Sequence, residues 1–573
     1  MSLREKFLNH YNNTKVTRDP AAIERDQYLE FPPPINVFGK FVIPGGYLIR
    51  IKFNRWFLLP AAVIVMCCVG SIYAWSGYNA AVDTAISGNS AAGNAPNTFY
   101  IAVAFFGPTS SILGPWMERV GPRSAALLGI TGYFLGNMFA AIACYTKQLW
   151  LLYLGMGIVG GCGIGITYIS PVSPLQKWFP DRRGLASGFA VAGFGLGSFF
   201  ASFAQTALIT QYGVVKTFVI LGFCYLAISL LFIPVLRVPP PGYVIDGVTI
   251  DTIKGMEKIS ILASGAGEED AKVKDAKAEE ATTESGNANG EPGASSDDMT
   301  HIVKEAVAPA DVEVSAKSPL AMMQSINLVD AVLSVEFRMM FIMLFCNILF
   351  GLTTTSKLQD MIKLQFHRSA DEAALINALF AVFNALGRVT IPSLSDYIGR
   401  KGVYLINLGA QIIICAAFPS IFNNGVYWAF IICIFALVMV YGAGFGSIPA
   451  FLSDQFGARN TGATHGVILW AWSLDAVIGI GYNTILNQQV AKYGKDAPNI
   501  YNLNFYWLLP VICVGFLVTI FIPTNIRDRI LPKFPNELIR VRLGGRMRLV
   551  TTKGFRTVSQ EDEDRLWNEL ASK

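Results

Sequence analysis

Twelve stretches of about 20 mostly apolar residues, each bounded by charged or turn-forming residues, run through this chain. A helix of that length crosses about 30 Å of hydrocarbon. The runs therefore read as membrane helices at about 57–80, 98–116, 124–145, 149–172, 184–208 and 215–237, then 338–356, 373–394, 402–422, 426–450, 461–486 and 505–525. The expected fold is therefore an all-α integral membrane protein with twelve transmembrane helices in two six-helix halves. Composition agrees: 53% of residues are hydrophobic and 15% charged, whereas an ordinary soluble domain carries about 25% charged residues. The net charge of +5 is too small over 573 residues to suggest a nucleic-acid binder.

The charge pattern divides the chain further. Residues 1–55 read as a cytoplasmic N-terminal segment, 56–237 as the first half, 336–526 as the second, and 527–573 as a cytoplasmic basic tail. Between the halves, 238–335 opens on Pro239-Pro240-Pro241-Gly242 and becomes rich in Ala, Gly, Ser, Glu and Lys, including Glu268-Glu269-Asp270. Such a composition has too little apolar side chain to offset the entropy of ordering it, so a largely disordered acidic linker is expected there. Asp19, Glu24, Asp26 and Glu30 sit among the early basic residues, and no short apolar run follows Met1. A cleaved secretory signal or transit peptide is therefore not expected. The nine cysteines lie in or beside apolar stretches with no CxxC pair and no metal-ligand spacing, which fits buried free thiols.

Orientation follows from the preference of Lys and Arg for cytoplasmic loops. Arg50, Lys52 and Arg55 precede the first helix, Arg119 and Arg123 follow the second, Arg182 and Arg183 the fourth, and Arg400 and Lys401 the eighth. Both termini are thus expected in the cytoplasm, in a plasma membrane with an organellar membrane as the alternative. An internal repeat is also visible. Glu118, Gly121 and Arg123 recur as Asp396, Gly399 and Lys401 at an offset of 278, and Gly184 and Gly188 recur as Gly462 and Gly466 at the same offset. One offset spanning two loops makes the second half a structural copy of the first, the construction of a transporter whose halves rock about a central site.

The loop from Gly114 through Glu118, Arg119 and Gly121 to Arg123, and its echo Asp396-Tyr397-Ile398-Gly399-Arg400-Lys401, resemble the signature loops of the major facilitator superfamily. Glycine permits the tight turn, and the acid suits the N-terminus of a neighbouring helix or a basic partner. Within that superfamily, Trp178-Phe179-Pro180-Asp181-Arg182-Arg183-Gly184, Gly70-Ser71-Ile72-Tyr73-Ala74-Trp75 and Pro239-Pro240-Pro241-Gly242-Tyr243 resemble the oxalate:formate antiporter family, neighbour of the monocarboxylate transporters. The resemblance covers most of 55–525 and implies transport of small carboxylates by exchange or proton symport.

Charges inside membrane helices are costly enough to require a reason. Arg388, in Asn384-Ala385-Leu386-Gly387-Arg388, offers a permanently charged fork that fits a carboxylate. The resemblance implies that it binds the substrate carboxylate, with Asn384 beside it; a structural ion pair or an interfacial arginine is the bland alternative. The resembling oxalate exchangers carry a lysine on helix 11, yet this chain has no Lys between Lys401 and Lys492. One fixed cation does not balance a dianion, so a monoanion is expected. Asp475 and His465 on helix 11 are the proton-coupling candidates, with Asp475 expected to pair with Arg388. Tyr73, Trp75 and Tyr168 are expected to line the cavity, although interfacial anchoring is the commoner use of Tyr and Trp. Glycines at 157, 161 and 165 suit close helix packing and have no phosphate-loop context. Arg540, Arg542, Arg546 and Arg548 in the tail suggest contact with anionic headgroups.

The sequence thus points to a secondary transporter of small monocarboxylates such as lactate, pyruvate or formate. The expected partners are the organic anion, protons and the bilayer, with no cofactor, metal or nucleic acid, no catalytic residues, and a monomer as functional unit. The alternatives are another small solute on the same fold, including oxalate, a sugar or an amino acid, or a non-transporting sensor.

Overall fold

The computed structural model describes residues 5, 9–11, 20–31, 36–37, 40–41, 49–89, 94–241, 243–245, 248–249, 327–524, 526–543 and 546–571. Most of the expected linker lies outside them, although its last residues form a short helix, Leu328–Leu333. Among the described residues there are twelve long helices. The first, α1, joins Leu58–Gly70, a 3-10 stretch Ser71–Tyr78 and Asn79–Ser87; α2 is Pro96–Val120 and α3 is Pro122–Thr146. Helix α4 spans 149–178 with π-helical turns at Tyr153–Gly160. One stretch, Arg183–Phe232, contains both α5 (183–212) and α6 (214–232), separated at Gly213, whose φ of 78° breaks the helix. In the second half, α7 is Val335–Asp360 continued by Met361–Gln365, α8 is Ala370–Ile398, α9 is Arg400–Asn423 and α10 is Tyr427–Phe456. Helix α11 joins Thr461–Ile468 to Trp470–Tyr493, and α12 is Asn502–Phe521. Ten stretches are long and apolar enough to cross a membrane, the one at Arg183–Val235 holding two helices. The less apolar α2, interrupted by Pro108 and Pro115, completes the twelve.

Several helices extend beyond the apolar runs that announce them. Helix α7 begins at Val335 because Ser334 accepts a hydrogen bond from the Phe337 amide, and Ser369 does the same for Glu372 at the start of α8. Such caps satisfy amides that the helix itself leaves free. The apolar run sets only the length facing lipid, and the capped turns project past it.

The offset of 278 persists in the element boundaries. It carries Val120 to Ile398, Pro122 to Arg400, Leu149 to Tyr427, Trp178 to Phe456 and Arg183 to Thr461. It fails at the last pair, where α6 would project onto 492 and α12 starts at Asn502. The turns Gly121 and Gly399 match as well, with φ of 104° and 88°, a backbone region that a side chain makes costly. The halves meet where α5 packs on α8 and α2 on α11.

Both terminal segments are attached to the helices. Strand β1 (Tyr28–Phe31) pairs with β2 (Ile49–Lys52). Arg237, after α6, donates to the carbonyls of Asp26 and Tyr28, and Arg123 donates to the Asp26 carboxylate at 2.8 Å. In the tail, β3 (Glu537–Leu543), β4 (Arg546–Thr551) and β5 (Gly554–Thr557) form an antiparallel sheet, followed by α13 (Gln560–Ala571). Leu531, Met547, Leu549, Val558 and Trp567 make its core. This revises the expectation of a headgroup-binding arginine cluster. Arg540 pairs with Glu537 at 2.8 Å, and Arg542 sits between Asp528 and Glu563 at 2.5 Å from each. Burial works against the Arg542 charge, but the two carboxylates outweigh it and hold its pKa above the ordinary value. Arg546 and Arg548 remain exposed, alternating along β4 with buried Met547 and Leu549. The cysteines also depart partly from expectation, because Cys224 is exposed and four others are half-buried.

Candidate substrate site and the tie between the halves

Arg388 is fully buried where α8 crosses α5. Its Nε donates to Asn384 Oδ1 at 2.8 Å, one turn earlier on the same helix, and its Nη1 donates to the Val191 carbonyl of α5 at 3.0 Å. Its Nη2 has no protein partner. The guanidinium faces the rings of Phe445 at 5.1 Å and Phe194 at 6.0 Å. Two anchors therefore fix the plane of the fork and leave one donor edge free, the preorganisation a carboxylate ligand needs.

Beside Asn384 lies a small cavity lined by Tyr73 of α1, Gly195 and Ser198 of α5, Thr355 of α7, Asn377, Phe380, Ala381 and Asn384 of α8, and Tyr441 of α10. Both halves contribute to it. The Tyr73 hydroxyl approaches the side chains of Arg388 and Tyr441 without closing a hydrogen bond of full geometry to either. Tyr168, also expected in the cavity wall, is not among the lining residues; it is buried against Phe106 and Phe194, its hydroxyl without a partner. Trp75 departs from expectation. Its indole N–H donates to the Ala95 carbonyl at 2.9 Å and its ring packs on Tyr78 and Phe218, so it braces the first half and does not line this cavity.

Trp472 was not legible as a site residue. It is buried on α11, its ring 4.7 Å from Phe106, 5.5 Å from Phe445, 5.8 Å from Tyr73 and 6.0 Å from Phe194, with the indole N–H unpartnered. The repeat offers the one signal that could have found it, since the offset of 278 carries Phe194 to Trp472. Helix 11 therefore presents an aromatic ring to the cage around Arg388, not a cation.

The expected pairing of Asp475 with Arg388 is not seen. Asp475 is fully buried on α11 with neither carboxylate oxygen hydrogen-bonded. The ionisable groups in its field are Cys346 of α7 and Tyr441 of α10. His465 lies a turn into α11, buried, 5.7 Å from the Tyr168 ring, with both ring nitrogens unpartnered.

At the end that carries the signature loops the halves are tied. Glu118, at the end of α2, accepts from the Gly462 amide at the start of α11 at 2.9 Å, from Ser173 at 2.8 Å and from Lys177 at 2.5 Å. Asp396, at the end of α8, accepts from the amides of Gly184 and Leu185 at the start of α5, at 3.1 and 3.3 Å, and pairs with Arg400 at 2.7 Å. Each half thus caps a helix of the other, with acids and glycines related by the same offset. Carboxylates suit these positions because a helix N-terminus presents free amides and a partial positive charge. Asp454 adds a buried bridge to Arg183 at 3.1 Å and Arg400 at 2.9 Å. Gly114 lets α2 approach Ala463 of α11. Arg119 and Arg123 serve otherwise, holding the N-terminal segment at the His10 carbonyl and at Asp26, and Lys401 donates to the Ile520 carbonyl of α12.

Two pseudo-symmetric six-helix halves, a cavity between them and a reciprocal tie at one end are the construction of a membrane transporter. The Major Facilitator Superfamily model matches residues 67–480 and again 339–541, and the chain belongs to that family. It is 25% identical over 427 residues to the MFS-type transporter YhjX of Escherichia coli, covering 74% of this chain and 86% of that one. It is 32% identical over 145 residues to the oxalate:formate antiporter of Oxalobacter formigenes, a stretch that covers 25% of this chain and 33% of the antiporter. The proton:xylose symporter XylE shares the fold at a TM-score of 0.55 and 13% identity, covering 82% of this chain and 96% of its own.

Proposed function

We propose that this membrane transporter carries small monocarboxylates through the cavity lined by Asn384, the residue that anchors Arg388, by alternating access, coupled to protons or to a counter-anion. The observation that carries the reading is the free Nη2 edge of a fully buried, doubly anchored arginine in an aromatic cage. A carboxylate there gains a charge-assisted hydrogen bond in a low-dielectric site. The cage contains one fixed cation, and α11 fills its share with Trp472. A monoanion neutralises the site, whereas a dianion leaves one charge buried without a counter-charge, which is costly. Formate, named by the antiporter this chain resembles, meets that condition.

In this conformation the cavity lies on one side of Arg388 and the tied loops on the other. Substrate neutralising Arg388 would weaken its hold on the Val191 carbonyl of α5, favouring rotation of the halves and release of the caps at Gly184 and Gly462. By the bias of basic residues, the tied end and both termini face the cytoplasm and the cavity faces outward across the plasma membrane. Asp475 and His465 are the proton sites of the symport version; with no contact between Asp475 and Arg388, coupling runs through Tyr441, which lies in the field of both.

The test is uptake into proteoliposomes of labelled formate, lactate, pyruvate, oxalate and xylose. Saturable monocarboxylate uptake, with oxalate and xylose excluded, is expected. Uptake of xylose or oxalate with monocarboxylates excluded overturns the reading.

A further inference from the structure

Helix α9 carries a line of polar side chains through the interior of the second half. Lys401, Tyr404, Asn407 and Gln411 recur at spacings of three and four, so they share one helical face. All are buried, Asn407 and Gln411 completely. Two contacts fix the direction of that face. The Tyr404 hydroxyl donates to the Gly444 carbonyl of α10 at 2.6 Å, and Gln411 Nε2 donates to the Asn347 carbonyl of α7 at 3.1 Å. Both amide atoms of Asn347, both of Asn407 and Oε1 of Gln411 are buried at this junction with no protein partner. The Asn347 oxygen rests against Gly444, where a side chain would displace it. Buried amides in a membrane bundle are otherwise hydrogen-bonded, and five such atoms side by side mark a place built for water.

Helix α7, which carries Asn347, packs on α11, which carries Asp475. Cys346, next to Asn347 on α7, and Tyr441, one turn before Gly444 on α10, lie within electrostatic reach of that acid. The repeat shows that the fold itself does not require this polarity. The offset of 278 relates Asn347, Asn407, Gln411 and Asp475 to Val69, Gly129, Tyr133 and Gly197, so these four positions carry neither amide nor acid in the first half, where the Tyr133 hydroxyl is satisfied by Ser71.

We propose that this junction is a hydrated proton path, separate from the substrate cavity, leading from the signature-loop end of α9 to Asp475. From Lys401 to Gln411 it rises about 15 Å at 1.5 Å per residue, roughly half of the hydrocarbon thickness. A hydronium at the mouth releases a proton into the row of waters, and each water passes one on. A carboxylate oxygen of Asp475 takes the last and becomes a carboxyl, so one proton is moved and the waters are regenerated. The path rests on the reading of Asp475 as the proton site.

The experiment compares proton-driven accumulation with counterflow exchange of labelled formate in proteoliposomes, for wild type, Asn407→Leu, Gln411→Leu, Asn407→Ser and Asp475→Asn. The leucine variants are expected to slow accumulation by about tenfold or more while counterflow stays within about twofold. Asn407→Ser, which keeps space and a hydroxyl for water, should accumulate nearly as wild type. Wild-type accumulation in both leucine variants overturns the path, and if Asp475→Asn still loses accumulation, the acid keeps its role. Wild-type accumulation in Asp475→Asn removes the reading beneath it. Should the leucine variants fail to fold, the carbonyl band of protonated Asp475 in the wild-type protein, identified by its absence in Asp475→Asn, should shift in infrared spectra within minutes of transfer to D2O. A band that stays unshifted for hours overturns the path.

Discussion

Arg388→Lys isolates what the guanidinium fork contributes, because it keeps the charge and removes the geometry. In the wild type, Nε is held by Asn384 and Nη1 by the Val191 carbonyl, which aims Nη2 into the cage. A lysine has a single nitrogen on a shorter chain. It can serve one anchor or the substrate, but not all three, and the Coulomb attraction alone remains. A charge-assisted hydrogen bond is worth about 1.5–3 kcal/mol net, and about 1.4 kcal/mol is a factor of ten in binding. The half-saturating concentration for formate should therefore rise by about 10- to 150-fold, with the unanchored ammonium at the stronger end of that range. Uptake kinetics in proteoliposomes measure this, and thermal stabilisation by formate gives an independent reading of affinity. Half-saturation within threefold of wild type, with normal thermal stabilisation, would refute the role assigned to the fork.

Trp472→Lys places a second cation in the same cage and should shift selectivity from formate toward oxalate; competition by unlabelled oxalate reads it, and an unchanged ratio would show that Trp472 does not face the ligand. The same variant should lower the melting temperature, since losing a large ring packed on Phe106 and Phe445 costs about 3–5 kcal/mol in aromatic truncations. Glu118→Ala removes one cap between the halves and leaves Lys177 buried without its partner, a loss of about 3–5 kcal/mol where buried pairs are broken; thermal unfolding should register it, and an unaltered melting temperature would refute the tie. Deleting 262–315 should leave melting temperature and formate uptake near wild type, because a connector so poor in apolar side chains is not expected to contribute to the core of either half; loss of folded protein would show that the segment has a structural role.

The helix count, the two halves and the buried arginine were legible because the membrane imposes local rules. Hydrocarbon thickness fixes how long an apolar run must be, and lipid makes each internal charge conspicuous within its own segment. Even the reciprocal capping was implicit in the spacing of Glu118, Asp396, Gly184 and Gly462, since an offset that relates two acids and two glycines relates their contacts as well. Rotational phase was not legible. A membrane helix that is apolar all round carries no polar stripe to say which face meets which neighbour. That is why Trp75, expected in the cavity wall, braces the first half, why Trp472 was missed, and why Asp475 and Arg388, both exceptional in the sequence, do not pair. The tail shows the same limit on another scale. Arg540, Arg542, Arg546 and Arg548 form one basic cluster along the chain, but the pleat of a sheet and two distant acids, Asp528 and Glu563, divide them into internal pairs and an exposed face. What the sequence by itself determined is what each segment must do to survive in lipid or water. Which segments meet, and through which atoms, was decided by the tertiary structure, because helix rotation and crossing are set by packing between residues hundreds of positions apart.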